Sequence, residues 1–108
     1  MILMTDKIVA IAEFSIIPLG TKDSSVSKYV AQVIGAIKDI KGVRYELTPM
    51  GTILEAENLD KIFYVIKVAH DTLFKTGVGR VISTLRIDDR RDKPRTMESK
   101  TQSVNIKL

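Results

Sequence analysis

Residues 45–57 read YELTPMGTILEAE. Polar and apolar residues alternate on both sides of Pro49-Met50-Gly51-Thr52, which predicts a hairpin. The turn lacks the Asn-Gly or Asp-Gly pair that two-residue hairpins favour. Pro49 instead fixes its own φ and biases Thr48 toward extended backbone. Gly51 allows a tight or positive-φ conformation that a Cβ would block. Thr52 then opens the outgoing strand with a hydroxyl. The two arms, at 43–47 and 52–56, decide the fold because a strand and a helix precede them and a helix and a strand follow.

Upstream, residues 7–17 read KIVAIAEFSII. Ile8, Ala10, Ala12, Phe14 and Ile16 share one wholly apolar face. Val9, Ile11, Glu13, Ser15 and Ile17 share the other, which is apolar with Glu13 and Ser15 set into it. A central strand covered on both faces fits this pattern, and Pro18-Leu19-Gly20 ends it. Asp23-Ser24-Ser25 supplies N-cap candidates. Val26, Tyr29, Val30, Val33, Ile34 and Ile37 then recur at helical spacing, and Gly42 suits the position just past the helix end near Lys41. Gly35 lies inside that helix at a cost of roughly 1 kcal/mol against Ala, for which close packing on the sheet is one reason.

Downstream, Asn58 caps a second helix. Its buried stripe is read as Leu59, Ile62, Phe63, Ile66, Ala69, His70 and Leu73, and Thr76-Gly77-Val78-Gly79 ends it. Residues 80–88, RVISTLRID, form the last long strand. The order is β-α-β-β-α-β. Two right-handed crossovers close that order into a four-stranded antiparallel sheet with both helices on one face, the α+β ferredoxin-like sandwich. The tail from about 95 carries two patterns. Thr96 and Ser99 suggest a short helix, whereas Val104 and Ile106 alternate like a strand.

Helices on one face leave the other bare. It carries Val9, Ile11, Glu13, Ser15, Ile53 or Leu54 according to register, Ile82, Thr84 and Arg86. So apolar a face implies a covering partner, and the expectation is a homo-oligomer.

The chain has 108 residues, which fits one domain over 1–108. Hydrophobic residues make up 44% and charged residues 28%, so the chain folds rather than staying disordered. It has no cysteine, which removes disulfides, thiolate nucleophiles and cysteine-based metal sites. Asp6, Lys7 and Glu13 interrupt the apolar N-terminus, so a signal peptide is not expected. No run approaches the ~20 apolar residues of a membrane span, and the expected location is the cytoplasm. The net charge of +4 is spread out, and the densest run, Arg86-Ile87-Asp88-Asp89-Arg90-Arg91-Asp92-Lys93, is mixed in sign. Such a run pairs with itself, which argues against a nucleic-acid partner.

Chemistry is sparse. The single histidine, His70, lies close to a buried stripe and reads first as a packing or surface residue. No GxSxG, HExxH or phosphate-binding loop is present. Gly77-Val78-Gly79 follows a helix, the wrong context for a dinucleotide site. Asp88, Asp89 and Asp92 stand among arginines, which favours ion pairs over a metal. Glu13 differs, because a carboxylate among apolar strand neighbours needs a partner. Either a strand arginine such as Arg86 pairs with it, or it grips a cationic or amino-bearing ligand, with Ser15 facing the same way. Thr52 and Glu55 on the hairpin are the other ligand-binding candidates, against an ordinary turn and strand edge.

Three segments, AEFSIIPLG (12–20), LTPMGTILEAE (47–57) and GVGRVISTLRIDDRRDKP (77–94), closely resemble the small thiamine-binding, ferredoxin-like proteins long filed as an uncharacterised family. The PMGT turn and the R-x-D-D-R-R-D-K-P run are the most specific parts. The resemblance implies a protomer that pairs through sheets into a dimer of dimers. It also implies binding of thiamine, or a pyrimidine or thiazole precursor such as hydroxymethylpyrimidine, without catalysis and without a cofactor. A carboxylate suits both the thiazolium cation and the aminopyrimidine, and Tyr45 could stack on a ring. The alternative is an oligomeric interaction module in which Glu13 serves only assembly.

Overall fold

The computed structural model describes residues 10–22, 25–93 and 96–108. The elements run β1 (Ala10–Leu19), α1 (Ser27–Ile37), β2 (Val43–Thr48), β3 (Gly51–Ala56), α2 (Leu59–Phe74), β4 (Arg80–Asp89) and α3 (Met97–Lys107). The first six follow the expected β-α-β-β-α-β order. The strands make one antiparallel sheet ordered β2-β3-β1-β4, which is the order two right-handed crossovers produce. The fold is ferredoxin-like, with a third helix added at the end.

The period-two pattern of β1 sorts its side chains as expected. Ala10, Ala12, Phe14 and Ile16 enter a single core with Leu54 and Ala56 of β3, Val33 and Ile37 of α1, and Ile62, Val65, Ala69 and Leu73 of α2. Each fully buried Ile, Leu or Val there contributes roughly 1.5–3 kcal/mol by leaving water. The register then fixes the opposite face. Glu13 lies across from Ile53 and Arg86, Ile11 from Glu55 and Asp88, and Ser15 from Thr84. Ile53 therefore belongs to the open face and Leu54 to the core. Val9 lies outside the described residues.

Several local readings change. β1 runs on through Pro18 and Leu19 instead of ending there, because past Phe14 it pairs with β4 alone. A proline is tolerated where one side of the ladder is already free. α1 stops at Ile37, and the chain turns through 38–42 before β2. Gly42 (φ +83°) serves that turn, where a Cβ would fall 2.0 Å from the Glu57 carboxylate. Val26 occupies the N-cap of α1 with no side-chain hydrogen bond. Ser25 Oγ accepts weakly from Ser27 N–H at 3.4 Å, and Asp23 and Ser24 lie outside the described residues. Gly35 is exposed, and a Cβ there would meet nothing within 4 Å, so close packing is not its reason. Phe63 is 53% exposed rather than buried. Asn58 does cap α2, accepting from Lys61 N–H at 2.9 Å.

The tail is helical. Thr96 Oγ1 accepts from Ser99 N–H at 3.1 Å, and Ser99 Oγ accepts from Thr96 N–H at 2.9 Å, a reciprocal cap. No residue of α3 is buried. None of the described helices is long and apolar enough to cross a membrane.

Candidate functional site beneath the hairpin

The Pro49-Met50 turn joins β2 to β3 with no residue between strand and turn to spare. Neither central residue has a positive φ, so the turn is not of the primed kind that hairpins usually employ. Thr48 compensates through its side chain. Its hydroxyl donates to the Gly51 carbonyl at 2.8 Å and accepts from Gly51 N–H at 3.1 Å. Gly51 also has no positive φ, so its freedom is spatial. A Cβ there would lie 2.9 Å from the Phe14 carbonyl oxygen and 3.7 Å from Glu13 Cγ. The missing side chain lets the turn lie flat on β1.

This close approach leaves a cavity on the helix side of the sheet, between the turn and the start of α1. Its volume is about 240 Å³. Phe14, Ile16 and Thr52 form its base, Val26 at the N-cap of α1 with Val30 and Ile34 of that helix one wall, and Leu47 through Gly51 the other. No ionisable side chain lines it; its side-chain polar groups are the hydroxyls of Ser15, Thr48 and Thr52. Thr52 is buried at 5% exposure. Leu47 and Met50 project at the rim, Met50 being 87% exposed.

The four candidate residues thus divide. Thr52 lies on the helix side, under the turn. Glu13, Ser15 and Glu55 alternate onto the open face, although Ser15 also borders the cavity. Glu13 accepts from Arg86 Nη2 at 3.2 Å, its directly opposite neighbour. Glu55 is held more tightly. It accepts from Arg44 Nε at 3.2 Å, Arg44 Nη2 at 2.8 Å and Met97 N–H at 2.9 Å. The last contact places a carboxylate on the positive end of α3. Arg44 bridges onward to Glu98 at 2.9 Å. Glu55 first, and then Glu98, hold the guanidinium well above its ordinary pKa, and Arg44 pulls the Glu98 carboxyl below its own. Tyr45 does not reach the cavity; it borders a groove between β2 and α3.

His70 Nε2 lies 2.7 Å from Ser83 Oγ, tying α2 to β4, and neither residue lines the cavity beneath the turn. The aspartates of the mixed run form ion pairs as expected: Asp89 with Arg91 at 2.8 Å, Asp92 with Arg90 at 2.7 Å, and Asp88 with Lys100. Among the described residues no group of histidines and carboxylates could hold a metal ion. The α1 wall, Leu47 and Met50 were not singled out in the sequence as site residues. Their only signal is that apolar side chains continue past the core stripe toward the turn.

The fold and cavity define a small ferredoxin-like protein with an uncharged pocket under its central hairpin. Comparison with known proteins agrees on the fold and shows the family. A family model described as "Thiamine-binding protein" matches residues 12–105, and the chain belongs to that family. It is 47% identical over 97 residues to a UPF0045 protein of Methanothermobacter thermautotrophicus, covering 90% of this chain and 97% of the other. It is also 47% identical over 102 residues to the UPF0045 protein YqgV of Bacillus subtilis, covering 92% and 97%. Among solved structures, hypothetical protein MJ1052 of Methanocaldococcus jannaschii superposes with a TM-score of 0.81 at 44% identity, covering 91% and 97%. Membership of this family supports a small-molecule-binding role.

Proposed function

We propose that the protein binds thiamine or one of its pyrimidine or thiazole precursors without turning it over, and that it works as a homotetramer. The observation that carries the ligand reading is the uncharged cavity beneath the hairpin, lined by Thr52 and by the α1 wall. At about 240 Å³ it is smaller than the roughly 300–1,000 Å³ typical of drug-sized ligands. It has room for one ring. A neutral aminopyrimidine suits apolar walls with a few hydroxyls. A thiazolium would have to stay at the mouth, since nothing in the lining could balance its charge. Glu13, whose Cγ flanks Gly51 on the other side of the turn, is the nearest candidate carboxylate, and Ser15 and Glu55 share its face. The same lining, which offers three hydroxyls and no ionisable side chain beside them, supports the reading of binding without turnover.

The homotetramer rests on the open face, where Ile17 and Ile82 are cross-strand neighbours and each 46% exposed. Isothermal titration with hydroxymethylpyrimidine and with thiamine tests the ligand. We expect both to bind, and Thr52→Val to weaken both about 2- to 10-fold, the size of one neutral hydrogen bond. Glu13→Gln should weaken thiamine more than hydroxymethylpyrimidine. If neither compound binds the wild-type protein, the ligand is another one. If both bind equally well to Thr52→Val, the site lies elsewhere.

A further inference from the structure

β1 is paired unevenly. Its ladder with β3 runs from Ala10↔Ala56 to Phe14↔Thr52 and stops, while its ladder with β4 continues to Leu19↔Arg80. The Pro49-Met50 turn ends β2 and β3 there, so no strand lies beside residues 15–19 on the β3 side. In an antiparallel sheet the N–H and C=O of one residue point to the same side, and successive residues alternate sides. The Phe14 carbonyl points at β3, because a Cβ on Gly51 would lie 2.9 Å from its oxygen. Ile16 and Pro18 share that direction, whereas Ser15, Ile17 and Leu19 face β4. The N–H that Pro18 lacks would thus have fallen on the open side, where a strand tolerates proline.

Ile16 is the residue whose main chain stands open. Its N–H and C=O face away from β4, beside the turn, and among the described residues nothing pairs with them. Yet Ile16 is only 8% exposed, and it lines the cavity beneath the hairpin. Buried peptide groups without a partner are rare and costly. The apolar wall of Val26, Val30 and Ile34 offers these two none.

We propose that the main chain of Ile16 is the recognition edge of the cavity, and that it pairs with a flat ring carrying a hydrogen-bond donor and an acceptor side by side. The ring takes the place of the strand that β3 does not provide. A ring nitrogen accepts from Ile16 N–H, and an amino group on the neighbouring carbon donates to Ile16 C=O. An aminopyrimidine has this edge. The same pyrimidine without its amino group does not, and it would leave the Ile16 carbonyl unpaired. A site built to pair polar groups rejects an analogue that leaves them unpaired, so the amino group, more than the apolar walls, sets the choice of ring. For the identity of the ring this inference rests on the ligand proposed above; the open edge itself belongs to the free protein.

Amide hydrogen exchange, read residue by residue by NMR on isotope-labelled protein, tests this edge. In the free protein the Ile16 amide should exchange more than about 10-fold faster than those of Ser15 and Ile17, which bond β4. Saturating hydroxymethylpyrimidine should protect it. The same pyrimidine without the amino group should bind about 10- to 100-fold more weakly, the size of one buried carbonyl left unpaired. 2-Aminopyrimidine, which carries the edge and little else of the ligand, should protect Ile16 at millimolar concentration, and pyrimidine should not. An Ile16 amide already as protected as its neighbours overturns the proposal whatever binds. Hydroxymethylpyrimidine that binds and leaves Ile16 unchanged, or that binds no better than its counterpart without the amino group, overturns it while the ligand reading stands. Protection by 2-aminopyrimidine with no binding of hydroxymethylpyrimidine or thiamine supports the edge and overturns the ligand reading. Protection by none of these compounds overturns both.

Discussion

Two glycines show what a single residue can and cannot disclose. Both Gly35 and Gly51 stand where the sequence offers a conformational or packing reason. At Gly51 that reason is a neighbour 37 positions away, the Phe14 carbonyl, which would lie 2.9 Å from a Cβ. Gly51→Ala must therefore move backbone, and we expect a loss of about 1–3 kcal/mol in urea denaturation together with weakened ligand binding. At Gly35 no atom stands within 4 Å. Gly35→Ala should raise stability by about 0.5–1 kcal/mol, since the only effect left is backbone entropy in a helix. The presence of each glycine was plain in the chain, but the difference between them was not, because it depends on strand pairing. Glu13 illustrates the same limit. A buried-strand carboxylate demanded a partner, and Arg86 was a named candidate, but only the register made them opposite neighbours.

Elements with strong periodicity were read most fully. The two long helices and all four strands appear in order, and Asn58 caps where expected. The misread ends lie where turn geometry overrode pattern, as at 38–42 after α1. The tail was undecidable because two weak signals competed. Thr96 and Ser99 won through a reciprocal cap, while Val104 and Ile106 stayed exposed on a helix that buries nothing. Polar tethers hold α3, among them Glu55 at its first N–H, Glu98 on Arg44, and Lys100 on Asp88. Glu55→Ala should free it, seen as faster amide hydrogen exchange over 97–107 with the sheet unchanged. Acid should act similarly. Arg44 holds the Glu98 carboxyl below its ordinary value of 4.5, so this contact contributes above pH 4.5 and is lost as pH falls through the depressed folded value. The exchange rates of α3 should rise in that range before those of β1 do. Unchanged protection of α3 after either treatment would place its anchor in apolar contact instead.

At the scale of the molecule, topology was legible because the β-α-β-β-α-β order and crossover handedness leave one closure. The site was only half legible. The hairpin and Thr52 mark the cavity, but strand alternation puts Thr52 on one face and Glu13 with Glu55 on the other, a division that a list of suggestive residues does not display. The same alternation leaves Ile53, Ile17 and Ile82 on the open face, the surface on which the proposed homotetramer rests. Ile53→Lys puts a charge in the middle of that face, where a covering subunit would have to desolvate it, and should lower the mass read by sedimentation equilibrium at micromolar concentration. An assembly whose mass is unchanged by Ile53→Lys would mean that copies meet through another surface and that the argument from the apolar open face is wrong.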